Sequence, residues 1–273
     1  MKLAPKLLLA TCVTPVLIWA TGAHIAQVAD RSLRTAIDER AAAEVRAVHD
    51  EIDRVLINRI ANWQAYARSA LLQETLKASN SYFQALPDAN EHLNRQDEIW
   101  FDTASQDSKD LIRSLLQNPL SRDLRATLDK LEEVSGYPVF GEVFLTNAYG
   151  ANVAQSGRTS DFRQDDEEWW QNATRDGLFV DDVDFDDSAG IYSIEICTRI
   201  DDELGEMLGV LKAVMNIRDI FNVVDLHAAN FDLDTTLALL TADGRIIRIG
   251  NTEAPPLADG SDMIAGVDLI PTE

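Results

Sequence analysis

Residues 138–218 limit what this chain can fold into more than any other stretch. The stretch begins PVFGEVFLTNAYGANVAQS, passes through SDFRQDDEEWWQNA and VDFDDSAGIYSIEICTRI, and closes with GEMLGVLKAVMNIRDI. Its apolar runs are rich in β-branched and aromatic residues and are separated by turn residues, the signature of short strands. Val139, Glu142, Phe144 and Leu145 lie in the first run, and Asn147-Ala148-Tyr149-Gly150 marks a tight turn after it. Asp165 to Glu168 put four carboxylates directly before Trp169 and Trp170. Such acids suit the first turn of a helix, where they meet the positive end of its dipole. Ile191 to Ile200 and Met207 to Ile217 are two longer strands, with Leu204-Gly205-Glu206 turning between them. The expected product is a small antiparallel sheet with one helix inserted between its second and third strands.

That order resembles the Cache domain, the extracytoplasmic relative of PAS sensor modules. Four pieces carry the resemblance: FLTNAYGANVAQS, DFRQDDEEWWQNA, DDSAGIYSIEICTRI and GEMLGVLKAVMNI. Their order and spacing are similar to the distal module of the double-Cache sensors found on histidine kinases, chemoreceptors and nucleotide cyclases. The resemblance implies an α/β (α+β) fold in which a long N-terminal helix packs on a PAS-like antiparallel sheet. It also implies a small-molecule ligand held between the sheet and the loops around the inserted helix. The positions so implied are Arg163, Trp169, Trp170, Asp187 and Tyr192, joined by Asp161, Tyr149 and Glu195. Core packing is the competing role for the two tryptophans, although adjacent residues on a helix cannot both face one core. Amino-acid-sensing relatives carry an Arg two positions before the Trp, where Glu167 stands, and an Asp on the last strand, where Leu211 to Asn216 has none. An amino-acid ligand is therefore not implied. Asp161, Asp165, Asp166, Glu167, Glu168, Asp186 and Asp187 surround the implied site, against Arg163 alone. A free carboxylate would meet like charge there, so the expected ligand is cationic or neutral and polar.

Met1 to Lys6 reads as a cytoplasmic tip carrying two lysines. Leu7 to Ala23 is an uncharged run of 17 residues, short for a membrane span and long for a signal-peptide core. Lysines before it, and Asp30 as the first acid after it, place the N-terminus inside and the rest outside. The expected location is the bacterial cytoplasmic membrane, with the bulk of the chain periplasmic or extracellular. Cleavage at Thr21-Gly22-Ala23 is the alternative to an anchor. Residues 24–137 read as a long stalk helix followed by a helical wrap. One helix is expected from Asp30 to about Leu76, since that stretch has no Gly or Pro. Val45, Val48, Ile52 and Val55, then Leu56, Ile60, Trp63 and Ala67, recur at helical spacing, and are expected to cover the sheet and to leave a homodimer seam beside that contact. Trp100 and Phe101 are expected core anchors, and Leu124, Leu128, Leu131 and Val134 mark an amphipathic helix. The sensor module is expected over 138–230. Residues 231–273 read as one hairpin, around Ala242-Asp243-Gly244-Arg245, of an incomplete second module, followed by a tail.

A net charge of −22 argues against nucleic acid as a partner, since phosphate binding needs clustered Lys and Arg. Cys12 and Cys197 are not expected to pair. The four histidines show no metal-ligand spacing, and nucleophile-elbow, phosphate-loop and dinucleotide patterns are absent. Asp182-x-Asp184-x-Asp186-Asp187 resembles the start of a calcium loop but lacks its glycine and final glutamate, so neither metal nor cofactor is expected. The chain is read as the non-enzymatic sensing part of a membrane receptor that lacks its output domain; a full-length parent could carry a kinase or cyclase. The alternatives are a stand-alone anchored or secreted ligand-binding module, or an interaction module that acts on a partner receptor.

Overall fold

The structure, a computed structural model, describes residues 3–186, 190–231, 235–250, 252 and 255–264, with side chains from Leu17 onward. By its internal contacts the chain forms two units, Met1–Glu51 and Ile52–Glu273. In the first, helix α1 (Leu3–Tyr66) is the only element, and residues 17–40 are exposed throughout. Among the described residues no helix is long and apolar enough to cross a membrane. Residues 7–16 of the expected anchor lie outside the described side chains.

In the second unit α1 ends at Tyr66 and α2 (Ala70–Gln84) begins after Ala67-Arg68-Ser69. The expected single helix to Leu76 is therefore broken, without Gly or Pro. Packing explains the break. Trp63 and Leu72 are both buried in one core cluster. They are nine positions apart, which is about 180° around a continuous helix, so one straight helix could not bury both. Ser69, extended at φ −64° and ψ 141°, redirects the chain so that Leu72 and Leu76 reach the core that holds Trp63.

Helices α3 (Ala89–Phe101), α4 (Gln106–Gln117) and α5 (Pro119–Ser135) follow. Asn118 makes the corner between α4 and α5: its side chain accepts from Ser121 N (2.8 Å) and donates to Val153 O (2.9 Å). Pro119 suits the first helical turn, where its missing N–H is no loss. Trp100 is fully buried, but Phe101 is 61% exposed and Val134 76% exposed, against expectation. Each falls one step off its helix's buried face, which carries Leu93 and Trp100 on α3 and Leu120 and Leu124 on α5.

The sheet is antiparallel. Strands β1 (Phe140–Asn147), β2 (Asn152–Gln155), β3 (Leu178–Val180), β4 (Asp184–Asp186), β5 (Ile191–Asp201) and β6 (Met207–Asn216) run in the order β2-β1-β6-β5-β3, with β4 also on β5. Helix α6 (Glu168–Asp176) lies in sequence between β2 and β3. This is the expected long helix and PAS-like antiparallel sheet, with two three-residue strands that are too short to leave a periodic signal. Val143, Leu145, Ile194, Ile196, Leu211, Ala213 and Met215 turn one face toward the helices and join Trp63, Leu72, Leu120 and Leu124. The alternate residues Phe144, Cys197 and Val210 turn to the other face, where Trp169 and Ala173 of α6 cover them. Gly209 sits where a Cβ would overlap the Thr146 carbonyl of β1, so only glycine permits this strand spacing.

Helix α7 (Arg218–Ala228) leads to a two-stranded sheet, β7 (Ala238–Leu240) and β8 (Ile246–Ile249). Arg248 of β8 pairs with Asp225 of α7 at 2.6 Å, and Ile247 joins the main core. A short helix, α8 (Ser261–Ile264), completes the elements. At the start of α7, Arg59 pairs with Asp219 (2.7 Å). Tyr137 donates its hydroxyl to the other Asp219 oxygen, and Arg218 lies 4.8 Å from the centre of the Tyr137 ring. Burial, and then the Asp219 carboxylate, push the Tyr137 phenol up to about 12.

Leu72→Ala should cost about 2–5 kcal/mol in denaturant unfolding, because the bend before α2 exists to bury it. Phe101→Ala should stay within about 0.5 kcal/mol. Equal effects would reject this account of the core.

Candidate functional site

A cavity of about 440 Å³ lies on the α6 face of the sheet. Its walls come from four places: the strand face that carries Glu142, Phe144, Lys212, Ser193 and Glu195; the loop that carries Thr159, Asp161 and Gln164; the start of α6 with Glu167, Glu168 and Trp169; and the segment Asp181–Asp186, which includes β4.

The period of two in the strands determines which side chains reach it. Lys212 stands opposite Phe144 of β1 and Cys197 of β5, so all three share one face. Ser193 and Glu195 precede Cys197 on that face. The loop is held by α3: the Asp97 carboxylate accepts from Phe162 N and Arg163 N, both at 3.0 Å, and Trp100 Nε1 donates to Thr159 O (3.2 Å). Asn152 of β2 donates to Thr159 Oγ1 (2.8 Å) and Asp161 O (2.9 Å). The turn before β2 is closed by Asn147 Oδ1, which accepts from Tyr149 N (2.9 Å) and Ala151 N (3.0 Å). Gly150 there has φ +83°, and a Cβ would come 2.5 Å from Asp165, so the turn and the approach to α6 both require glycine.

Of the expected site residues, Asp161, Trp169 and Glu195 line the cavity. Arg163, Trp170, Tyr192 and Tyr149 do not. Arg163 is spent on a two-point pair with Asp165 (2.7 and 2.9 Å) and on Asn94. Trp170 donates its indole N–H to Thr146 Oγ1 at 2.9 Å. Tyr149 stacks on Phe83, ring centres 5.2 Å apart. Tyr192 packs against the helix-side core and meets Phe185 edge-on at 5.0 Å. The strand period gives its neighbour Ser193 to the cavity instead. Asp187 lies outside the described residues.

Sequence reasoning missed Lys212, and with it took Arg163 for the site's cation. Lys212 is the sole charged residue in the apolar run Leu208–Met215, and a charge in a buried strand demands a partner. Its side chain, 12% exposed, pairs with Glu195 at 2.6 Å, and its ammonium lies 4.8 Å from the centre of the Trp169 ring. Trp169, 6% exposed, is both core and cavity wall, because its edge also packs on Phe144.

The other charges are acids: Glu142, Asp161, Glu167, Glu168, Asp181, Asp182, Asp184, Asp186 and Glu195. Burial raises the Asp161 carboxyl above its ordinary range, opposed by hydrogen bonds from Gln164 and Ser160. Burial also raises Glu167, with repulsion from Asp161 and Asp166 adding and Lys212 opposing. Among the described residues no group of three His, Cys, Asp or Glu is placed to hold a metal ion. The Cys197 thiol beneath the cavity is pushed well up by burial, which keeps it protonated.

No protein-family model matches the sequence, and no curated protein does either. Solved structures do match. The extracellular domain of a chain described as a histidine kinase matches at 16% identity and a TM-score of 0.39, over 76% of this chain and 78% of that one. The ligand-binding domain of the Pseudomonas fluorescens chemoreceptor CtaA, solved with L-serine, matches at 17% identity and a TM-score of 0.34, over 57% and 68%. The sensory domain of the Campylobacter jejuni chemoreceptor Tlp3 matches at 17% identity and a TM-score of 0.36, over 69% and 73%. The element order described above, a long N-terminal helix and an antiparallel sheet with α6 between β2 and β3, is the one expected from the sequence.

The raised Glu167 carboxyl sets a pH test. A carboxyl whose folded pKa lies above its unfolded value binds more protons folded than unfolded, so its contribution to stability falls as pH rises through that window. Glu167→Gln should therefore be more stable than the parent at pH ~7, with Glu168 still supplying charge to the first turn of α6. The gain should vanish as the pH falls into the carboxylate range. A gain that grows at low pH would contradict the placement of Glu167.

Proposed function

We propose that the chain is the extracytoplasmic small-molecule sensing part of a membrane-anchored signal-transduction receptor, and that its ligand is cationic or neutral and polar. The observation that carries the ligand reading is the cavity itself: nine carboxylates and one paired lysine around the face of a buried tryptophan. A carboxylate ligand would enter that field at a cost of several kcal/mol unless a cation paired with it. An ammonium gains from the acids and from the indole face, the latter worth about 0.5–2 kcal/mol. Residues 7–23 serve as the anchor in this reading, and α1 carries the response toward the membrane. Exposed Ile25, Val28, Leu33, Ile37 and Val45 supply apolar surface on which a second copy can pair.

Calorimetry with butylamine and butyrate, which share a carbon skeleton, tests the ligand class. The amine should bind and butyrate should not. Trp169→Phe should weaken the amine about threefold or more, and Trp170→Phe should leave it unchanged. Binding of butyrate alone would sink the reading. For the anchor, cell fractionation should leave the chain in the membrane pellet; recovery in the soluble periplasm would reject it. For the pairing, Ile37→Glu with Val45→Glu should convert a dimer to a monomer in sedimentation, and a monomeric parent at high concentration would reject it.

A further inference from the structure

Lys212 holds a position that its role in the fold does not require. A lysine that only neutralised a buried acid would be served by the ion pair with Glu195 at 2.6 Å. Here the ammonium also lies on the cavity wall, 4.8 Å from the centre of the Trp169 ring and 6.0 Å from that of Phe144. An ammonium, a carboxylate and an aromatic face, all inside a cavity of about 440 Å³, are the parts of an amine-binding site with the amine already supplied by the protein. The stem rises from β6 between Phe144 and Cys197, so four flexible methylenes separate the backbone from the charge. Asp181, Asp182 and Asp184 line the same cavity, so acids other than Glu195 are present for the displaced ammonium.

We propose that Lys212 is a tethered competitor for the cavity's ligand. Its ammonium occupies the seat between Glu195 and the Trp169 face that a ligand's ammonium takes, and binding requires it to leave. The inference rests on the reading of the ligand as a cation. It adds that the apparent affinity is set by the competition, since a site held part-time by its own lysine binds more weakly by the fraction of time it is closed. It also gives the ligand a local consequence. Trp169 belongs to α6 and Lys212 to β6, so the contact that is exchanged on binding is the one between helix and sheet.

The test is calorimetry of the full chain and two variants, Lys212→Met, which keeps the unbranched stem, and Lys212→Gln, with butylamine, butane-1,4-diamine and butyrate. Folding of each variant is checked by its thermal transition. Removing the competitor should tighten both amines about tenfold. Amines that bind the parent but bind a folded variant equally or more weakly would overturn the inference and leave the cationic reading standing. Butyrate that binds the parent and is lost in Lys212→Met, with no amine bound by either, would overturn both and make Lys212 a carboxylate anchor. If neither variant folds, proton–carbon NMR of lysine side chains in the parent decides. The Lys212 ε-methylene signal should start displaced by the Trp169 ring current and move to the free-lysine position on saturation with the diamine. A signal that stays displaced would overturn the proposal.

Discussion

A sheet with two buried faces has to be covered twice, and the period of two in β1, β5 and β6 decides what covers each side. On one face, Val143, Ile196 and Leu211 require helices, and the chain supplies Trp63, Leu72, Leu120 and Leu124 to meet them. On the other, Phe144, Cys197 and Val210 are covered only where α6 lies, through Trp169 and Ala173. α6 has nine residues, far shorter than the strands' combined width, so the rest of that face is left to a cavity. The cavity is thus the uncovered remainder of a face whose other half is core. The bend at Ala67–Ser69 follows from the same demand, since both sides of the helical layer must present large side chains to one sheet.

The acids around that remainder would be unfavourable without compensation. Carboxylates close together in a partly dry site raise one another's pKa, as Asp161 does for Glu167. Lys212 relieves part of the repulsion, which is why a charge is tolerated in the middle of an otherwise apolar strand. The site is therefore held in balance by one cation on a flexible stem, and any change at Lys212 alters the charge of the cavity and the seating of Trp169 together.

Much of this was legible in the sequence. The succession of the main strands along the chain, the Asn147–Gly150 turn, the acid-led helix at Trp169 and the hairpin after α7 all follow from local patterns of turn residues and period. The candidate site was legible in chemistry more than in direction. The acidic field and Trp169 were apparent, but Tyr192 and Ser193 are neighbours whose assignment to opposite faces depends on a register that no local pattern specifies. Arg163 looked available because its nearest acids were counted as part of the site; instead Asp165 closes on it in the turn. The helix break was hidden for a similar reason. Ala67-Arg68-Ser69 carries no breaker, and only the distant sheet requires the chain to bend there.

The clasp at Asp219 constrains how α1 can respond to anything on the sheet. One carboxylate oxygen takes the fork of Arg59 from α1, and the other takes the Tyr137 hydroxyl at the entry to β1. With both oxygens engaged, α1 cannot roll about its long axis or slide along it without dragging the start of α7. The clasp therefore ties residues 52–66 of α1, the entry to β1 and the start of α7 to a single carboxylate, so a shift of any one of the three is felt by the other two.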